Sequence, residues 1–544
     1  MVKRKRLIPV TGNVPAGRFA AVLGIALLML LPSCAPPPGP PPDGTPRLVL
    51  LIVVDQMRAD YLIRFGDLFE GGLARLMENG VAFTEAHHDH SATLTAPGHA
   101  TLATGCHPAR HGVIGNYWYD RETGEPGYAV EDGGPSRLLC PALGDWLKRR
   151  YPAARVVTAS QKDRSAVMMG GKNPDGVYWY DWQGGFETSD HYARRPPEWV
   201  TTFNEERSMD AFFGEAWSVE PLAPETAELL GIESTSLGFT DPDFPHAYGG
   251  TSVAPGESFY DGLYVRPVLD DHLASFAVRA VYAEGLGEDE VPDLLALGFS
   301  ALDTIGHVFG PNSREVMETL LALDRTLGRL LDELDEKIGL DNMVVALSSD
   351  HGTAPVPELR ALQGLSGGRM GAGQAICLQR LDRRLDERLG AADWMIGGGF
   401  LNPEALAEHG VETAVAEAQV RQIVETCPEV ARVWTRGELS RPAEGAALAD
   451  DTRSRFANSF HPQRSPDFLV QWDEYFLGTT RRLSTHGTAY RYDTWVPLMV
   501  MAAGLAPAEV TAPVRTVDLA PTLAALVDVE PPAEIDGEDL GSYF

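Results

Sequence analysis

Asp55, Asp303 and Asp350 each follow closely on an apolar run, and two of them have a histidine nearby. His307 lies four residues after Asp303, and His351 is adjacent to Asp350. A third histidine, His486, stands far downstream in Ser484-Thr485-His486-Gly487. Carboxylate mixed with imidazole suits zinc or a similar first-row divalent ion, whereas calcium and magnesium favour oxygen alone. These six side chains are enough for two ions that each keep an open position for substrate. Two such ions about 4 Å apart can clamp the attacking and the leaving oxygen of an in-line phosphoryl displacement.

The elements that must position these groups are visible in the pattern. Residues 47–54 (RLVLLIVV) form a continuous apolar, β-branched run that ends at Asp55. Residues 294–300 (LLALGFS) end just before Asp303, and residues 343–348 (MVVALS) just before Asp350. Runs of this kind suit strands buried on both faces of a parallel sheet. Ligands of open α/β sheets bind at the carboxyl ends of the strands, which is where these acids fall. Residues 315–338 repeat apolar positions at helical spacing and predict a helix crossing between two parallel strands. Residues 146–151 read as a helix end before a strand over 155–159. The expected fold is α/β, a mostly parallel central sheet with helices on both faces. Residues 177–268, rich in Trp, Tyr, Gly and Pro, and residues 362–477 break the α/β rhythm and read as insertions capping the active face.

A net charge of −31 makes the surface acidic, which argues against nucleic acid or an anionic membrane as a partner. An anionic substrate must then be drawn in locally, by metals or a few basic groups. Lys3, Arg4, Lys5 and Arg6 precede an apolar stretch over 19–31 that is too short to span a membrane. With Leu31-Pro32-Ser33-Cys34 this reads as a signal peptide over 1–34 ending in a segment that resembles a bacterial lipobox. A lipid on Cys34 would be the only membrane contact, in the cell envelope or periplasm, with the outer membrane expected. Residues 35–46 are a Pro-rich tether, and 47–544 the catalytic domain. Cys106, Cys140, Cys377 and Cys427 have no CxxC spacing. In an exported chain they form one or two disulfides, with the pairing open. The oligomeric state is not encoded in any visible pattern.

Seven segments in order give a specific resemblance. VVDQMRADY holds Asp55, TLTAPGHATLATG holds Thr95, HGVIGNYWYD holds Asn116, and QKDR holds Lys162 and Arg164. LDTIGHVFGP holds Asp303 and His307, SSDHG holds Asp350 and His351, and THGTAYRYDTWVP holds His486. Together they resemble the alkaline phosphatase superfamily, in its branch of bacterial enzymes with a threonine nucleophile, close to the nucleotide pyrophosphatase/phosphodiesterases. The resemblance implies two divalent ions, zinc in the first place. Asp303, His307 and His486 would hold one. Asp55, Asp350 and His351 would hold the other, together with the Thr95 oxygen. It implies Thr95 as a nucleophile activated by metal coordination, a phosphothreonine intermediate, and Asn116 as a donor to a phosphate oxygen. It also implies that the Lys162/Arg164 pair recognises the extra charged oxygen of a phosphate monoester, since the diesterases generally lack this pair. Hydrolysis of small-molecule phosphate monoesters is therefore expected, with a phosphodiesterase or nucleotide pyrophosphatase as the alternative and a sulfatase behind it.

Cys106-His107-Pro108-Ala109-Arg110 matches a sulfatase signature, but it falls after the segment that such a signature precedes, so Cys106 is expected to be structural. His87, His88 and His90 are expected to be loop residues, His99 a packing residue behind the site, and His111 a structural loop position. Tyr178, Trp179, Tyr180 and Trp182 are expected in the core of an insertion, with the lining of a substrate cleft as the alternative.

Overall fold

The computed structural model describes residues 39–544, apart from 122, 234–243, 250–251, 371–376, 379, 441–451 and 479–481. From Pro40 onward they form one compact unit. The central sheet contains, among the described residues, β1 (Leu48–Val54), β2 (Val81–His87), β3 (Val156–Ser160), β4 (Gly176–Tyr180), β5 (Phe186–Glu187), β6 (Asp293–Phe299), β7 (Met343–Ser348), β8 (Trp495–Ala502), β9 (Ala508–Val510) and β10 (Val514–Arg515). Their spatial order is β9-β2-β8-β7-β1-β6-β3-β4-β5, with β10 also on β2. β7, β1, β6, β3 and β4 run parallel, while β8 is antiparallel to both β7 and β2.

β1 is buried at every position, so both of its faces must be covered. Leu48, Leu50, Ile52 and Val54 enter one apolar cluster and Val49, Leu51 and Val53 another, as the two-residue period requires. The first cluster is closed by α4 (Val268–Glu284), α5 (Ala301–Phe309) and α6 (Arg314–Lys337). The second is closed by α1 (Thr95–Thr104), α2 (Leu143–Arg150) and α7 (Leu519–Leu526). α6 begins where Ser313 accepts a hydrogen bond from Val316 N, and it buries Leu320, Leu323, Leu327, Leu330, Leu331 and Leu334. It joins β6 to β7, which flank β1 on either side, so the carboxyl ends of three central strands lie side by side.

Topology thereby brings distant residues to one edge. β1 ends at Val54, before Asp55. β6 ends at Phe299, before the helix that carries Asp303 and His307. β7 ends at Ser348, before Asp350 and His351. β3 pairs with β6 through Ser160 and Gly298 and delivers Lys162 and α3 (Asp163–Gly170). Antiparallel β8 starts at the edge where its parallel neighbours finish, so the loop leading into it can supply His486.

The strands and helices agree with the pattern-based expectation to within about two residues, but residues 177–180, expected at the start of the first insertion, belong to the main sheet. Tyr178, Trp179 and Tyr180 lie in β4, a strand of the main sheet, and not in the core of an insertion. Alternating aromatic residues form a strand as readily as an insertion core, and pairing with β3 decides it. The second insertion has its own apolar cluster, including Leu385, Trp394, Val420, Ile423 and Val433. Cys377 and Cys427 form a disulfide across it, while Cys106 and Cys140 are buried free thiols. The expected signal peptide, Cys34 and residues 35–38 of the tether lie outside the described residues, and residues 39–46 carry neither helix nor strand. Among the described residues no helix is long and apolar enough to cross a membrane.

The disulfide closes a loop of 50 residues. Cys377→Ser/Cys427→Ser is expected to destabilise the second insertion by up to about 4 kcal/mol through unfolded-state entropy. Limited proteolysis along a urea gradient would show cleavage in residues 377–435 at lower urea, before the central sheet is cut.

Candidate metal centre and nucleophile

Two ligand groups sit at the shared strand edge, and in each the donor atoms lie within 4.8 Å of one another. In the first, Asp303 Oδ1 is 3.2 Å from His307 Nε2 and 3.6 Å from His486 Nε2. The helical spacing of Asp303 and His307, both on α5, puts them on one face. In the second, His351 Nε2 is 3.5 Å from Asp55 Oδ1 and 3.3 Å from Asp350 Oδ2. The rings of His351 and His486 stack with centroids 3.5 Å apart, so the two groups adjoin.

Whether these groups fit metal ions can be tested on their unused atoms. His307 Nδ1 lies 2.8 Å from Ser484 O, His486 Nδ1 2.8 Å from Thr93 O, and His351 Nδ1 3.0 Å from Gly352 O. A carbonyl oxygen only accepts, so each Nδ1 donates and each ring is turned with Nε2 inward. Burial holds His351 and His486 below the usual imidazole range, which keeps them neutral. Asp55 Oδ1, Asp350 Oδ2 and His351 Nε2 are buried without a hydrogen-bond partner. Burial, then the neighbouring Asp303 and Asp350, pushes the Asp55 carboxyl well above the usual range. Orphaned acceptors, inward lone pairs and crowded carboxylates are what a cation resolves, so the residues fit metal at both groups.

Thr95 opens α1 and is buried at 1% exposure, with its hydroxyl 3.4 Å from Arg164 Nη2. Ala96 N donates to Asn116 Oδ1 at 2.8 Å, which leaves the Asn116 amide group as a donor. Thr95, Asn116, Lys162, Arg164, Asp303, His307 and His486 line one cavity of about 630 Å³. Lys162 does more than the sequence implied. Its ammonium lies 2.5 Å from Asp55 Oδ2 and 2.5 Å from Asp303 Oδ2, joining the two ligand groups. Burial alone would lower the Lys162 pKa, but Asp303 and Asp55 outweigh it and raise it.

Several contributors escaped sequence reasoning. Gln56 adopts φ +70° and turns its side chain back to donate to Asp303 Oδ1 at 2.6 Å, while its backbone N–H donates to Asp350 Oδ1. Its one signal was a polar residue directly after a ligand. Ser300 donates to Asp55 Oδ2, and Asp270, on α4, holds both Gln161 and Ala301 N. His99 Nδ1 lies 3.2 Å from Asp350 Oδ2, consistent with its expected place behind the site. His88 and His90 are buried in packed surroundings, with His88 bonded to Ser349 O and Thr516. His111 closes a short helix and meets Thr101. Cys106 stands at the far end of α1, about 15 Å from Thr95 at 1.5 Å per helical residue, and does not line the cavity.

Residues 49–491 match the family model described as type I phosphodiesterase / nucleotide pyrophosphatase. The chain is 29% identical to alkaline phosphatase PafA of Elizabethkingia meningoseptica, over 91% of this chain and 94% of that one. It is 30% identical to alkaline phosphatase PhoK of a Sphingomonas species, over 91% of each. The crystal structure of wild-type PafA matches with a TM-score of 0.80 at 26% identity, covering 91% of this chain and 98% of that one.

α1 approaches the Asp350 loop so closely that only glycine fits between them. A Cβ on Gly98 would lie 2.2 Å from Asp350 O and 2.7 Å from Asp350 Cβ. Gly98→Ala must push Thr95 away from the ligand group, at a cost of about 1–3 kcal/mol in stability. A shift near 1 Å at a reacting group costs on the order of 10²-fold in rate. Steady-state kcat/KM alongside a thermal melt would show a turnover loss well beyond what the melt accounts for.

Proposed function

We infer that this chain, which belongs to the type I phosphodiesterase/nucleotide pyrophosphatase family, is an alkaline phosphatase that hydrolyses phosphate monoesters. The enzyme is metal-dependent, and our reading gives it two zinc ions, one at each ligand group. The observation that carries the mechanism is the meeting, in one cavity, of a helix-start threonine, a ligand group and the Lys162/Arg164 pair.

When bound, the two ions would supply positive charge to the attacking and leaving oxygens of an in-line displacement. The chain's own groups do the rest. The Thr95 oxygen attacks phosphorus, the ester oxygen departs as an alcohol, and a phosphothreonine forms. Water then cleaves the threonine–phosphorus bond, returning the hydroxyl and releasing inorganic phosphate. The start of α1 favours negative charge beside Thr95. Arg164, 3.4 Å from the Thr95 oxygen, offers a planar fork of donors to the phosphoryl oxygens. Asn116 supplies a further donor, its carbonyl oxygen already engaged by Ala96 N. Lys162 offsets the charge of Asp55 and Asp303 and adds a cation on the phosphoryl side.

The family's name makes a diesterase the second reading. A monoester carries one more charged oxygen than a diester, and Lys162 with Arg164 supplies the matching cations. We further place the enzyme in the cell envelope, exported by residues 1–34 and anchored through lipid on Cys34. The basic start, apolar stretch and Cys34 of the sequence support this. Radiolabelled fatty acid incorporated into wild type and absent from Cys34→Ala would test it.

Thr95→Ala is expected to lower monoester kcat/KM on the order of 10³-fold or more with the fold retained, because the nucleophile is lost. Intact turnover by this variant would sink the mechanism. Lys162→Ala/Arg164→Ala should erase the preference for an aryl monoester over the matching diester in paired assays of zinc-loaded protein. A wild type that prefers the diester, with a ratio the double variant does not move, favours the second reading. Chelation should abolish turnover and lower the melting temperature, since uncompensated carboxylates remain buried, and zinc should restore both.

A further inference from the structure

The hairpin of Tyr117–Tyr119 and Pro126–Tyr128 stands at the rim of the catalytic cavity. Tyr117 and Tyr128 are directly opposed across its two strands. Their rings stack with centroids 4.7 Å apart and planes at 29°. Tyr128 is anchored from below. Its hydroxyl donates to Asp163 Oδ1 at 2.5 Å and lies 3.5 Å from Arg164 Nη1. Tyr117 is fixed from the side by Asn116, whose side chain accepts from Ala96 N and whose carbonyl accepts from Ala129 N at 2.9 Å.

One face of the Tyr117 ring therefore rests on a ring bonded to the start of the helix that carries Arg164. The rest is uncovered: Tyr117 is 70% exposed and lines the cavity. Val265, Val308 and Leu483 contribute apolar surface to the same cavity. A rigidly held aromatic ring with an open face, beside groups that bind a phosphoryl, is suited to cover a flat partner.

We propose that Tyr117 is the platform for the leaving group, so that the preferred substrates are monoesters of flat aromatic or heteroaromatic alcohols and not of compact aliphatic ones. This rests on the monoesterase reading above and adds the leaving-group class. Tyr117 acts on specificity by covering the part of the substrate that departs, while the phosphoryl group is held by Asn116, Arg164 and Lys162.

The test compares kcat/KM for phenyl phosphate and glycerol 2-phosphate in metal-loaded wild type, Tyr117→Ala and Tyr117→Phe. The ratio of the two substrates does not depend on how much of a variant folds. Tyr117→Ala should lower the aryl-to-aliphatic ratio about tenfold, which is about 1.4 kcal/mol. Tyr117→Phe, which keeps the ring, should hold it within about twofold of wild type. Inhibition by phenylphosphonate relative to methylphosphonate should shift in the same way, and there no leaving-group chemistry intervenes. A ratio unmoved by Tyr117→Ala in either measurement overturns the platform. A wild type that turns over neither monoester overturns the monoesterase reading instead.

Discussion

Three buried aspartates converge on one edge of the sheet, and no arrangement of neutral neighbours could make that crowding stable. Asp55, Asp303 and Asp350 are almost wholly removed from solvent. Lys162 supplies part of the missing positive charge by bridging two of them. The rest of the molecule is arranged around this concentration of charge. The central strands must be apolar on both faces so that their ends can approach, and helices must cover those faces. The histidines must be backed by carbonyl oxygens so that the correct nitrogen faces inward.

The architecture also settles which groups move together. α1 and the Asp350 loop touch through Gly98, so Thr95 has a fixed relation to one candidate ligand group. Gln56 touches both groups, donating to Asp303 from its side chain and to Asp350 from its backbone. Its left-handed backbone is a local strain, of the sort that surrounding structure must hold in place.

That Asp55, Asp303 and Asp350 would meet at one edge was legible because strand ends are legible. Doubly buried strands are continuous apolar runs, and an acid placed just after one has few structural explanations. Thr95, Asn116, Lys162 and Arg164 were legible only through resemblance, since hydroxyls, amides and basic residues near a helix start are common anywhere. Ser300 and Asp270 were invisible, and Gln56 nearly so, for a physical reason. Their partners lie far along the chain, 247 residues away for Gln56 and Asp303, and only the strand order brings them together. The aromatic run at 178–182 misled because tyrosine and tryptophan suit a strand of the main sheet as well as an inserted lobe.

Arg121, in the turn of the rim hairpin, reaches across to Asp467 of the second insertion with N–O distances of 2.7 and 3.3 Å, and Tyr119 packs against Gly398 of that insertion. The candidate ligand groups stand on the strand ends and the connections that follow them, whereas the hairpin leans on a lobe with a separate apolar core. Mutational drift in that lobe can therefore shift the hairpin while the ligands keep their places. A lineage that drifts there would alter the cavity rim together with Asn116 and Arg164, which the hairpin touches, ahead of the six candidate ligands on the sheet edge.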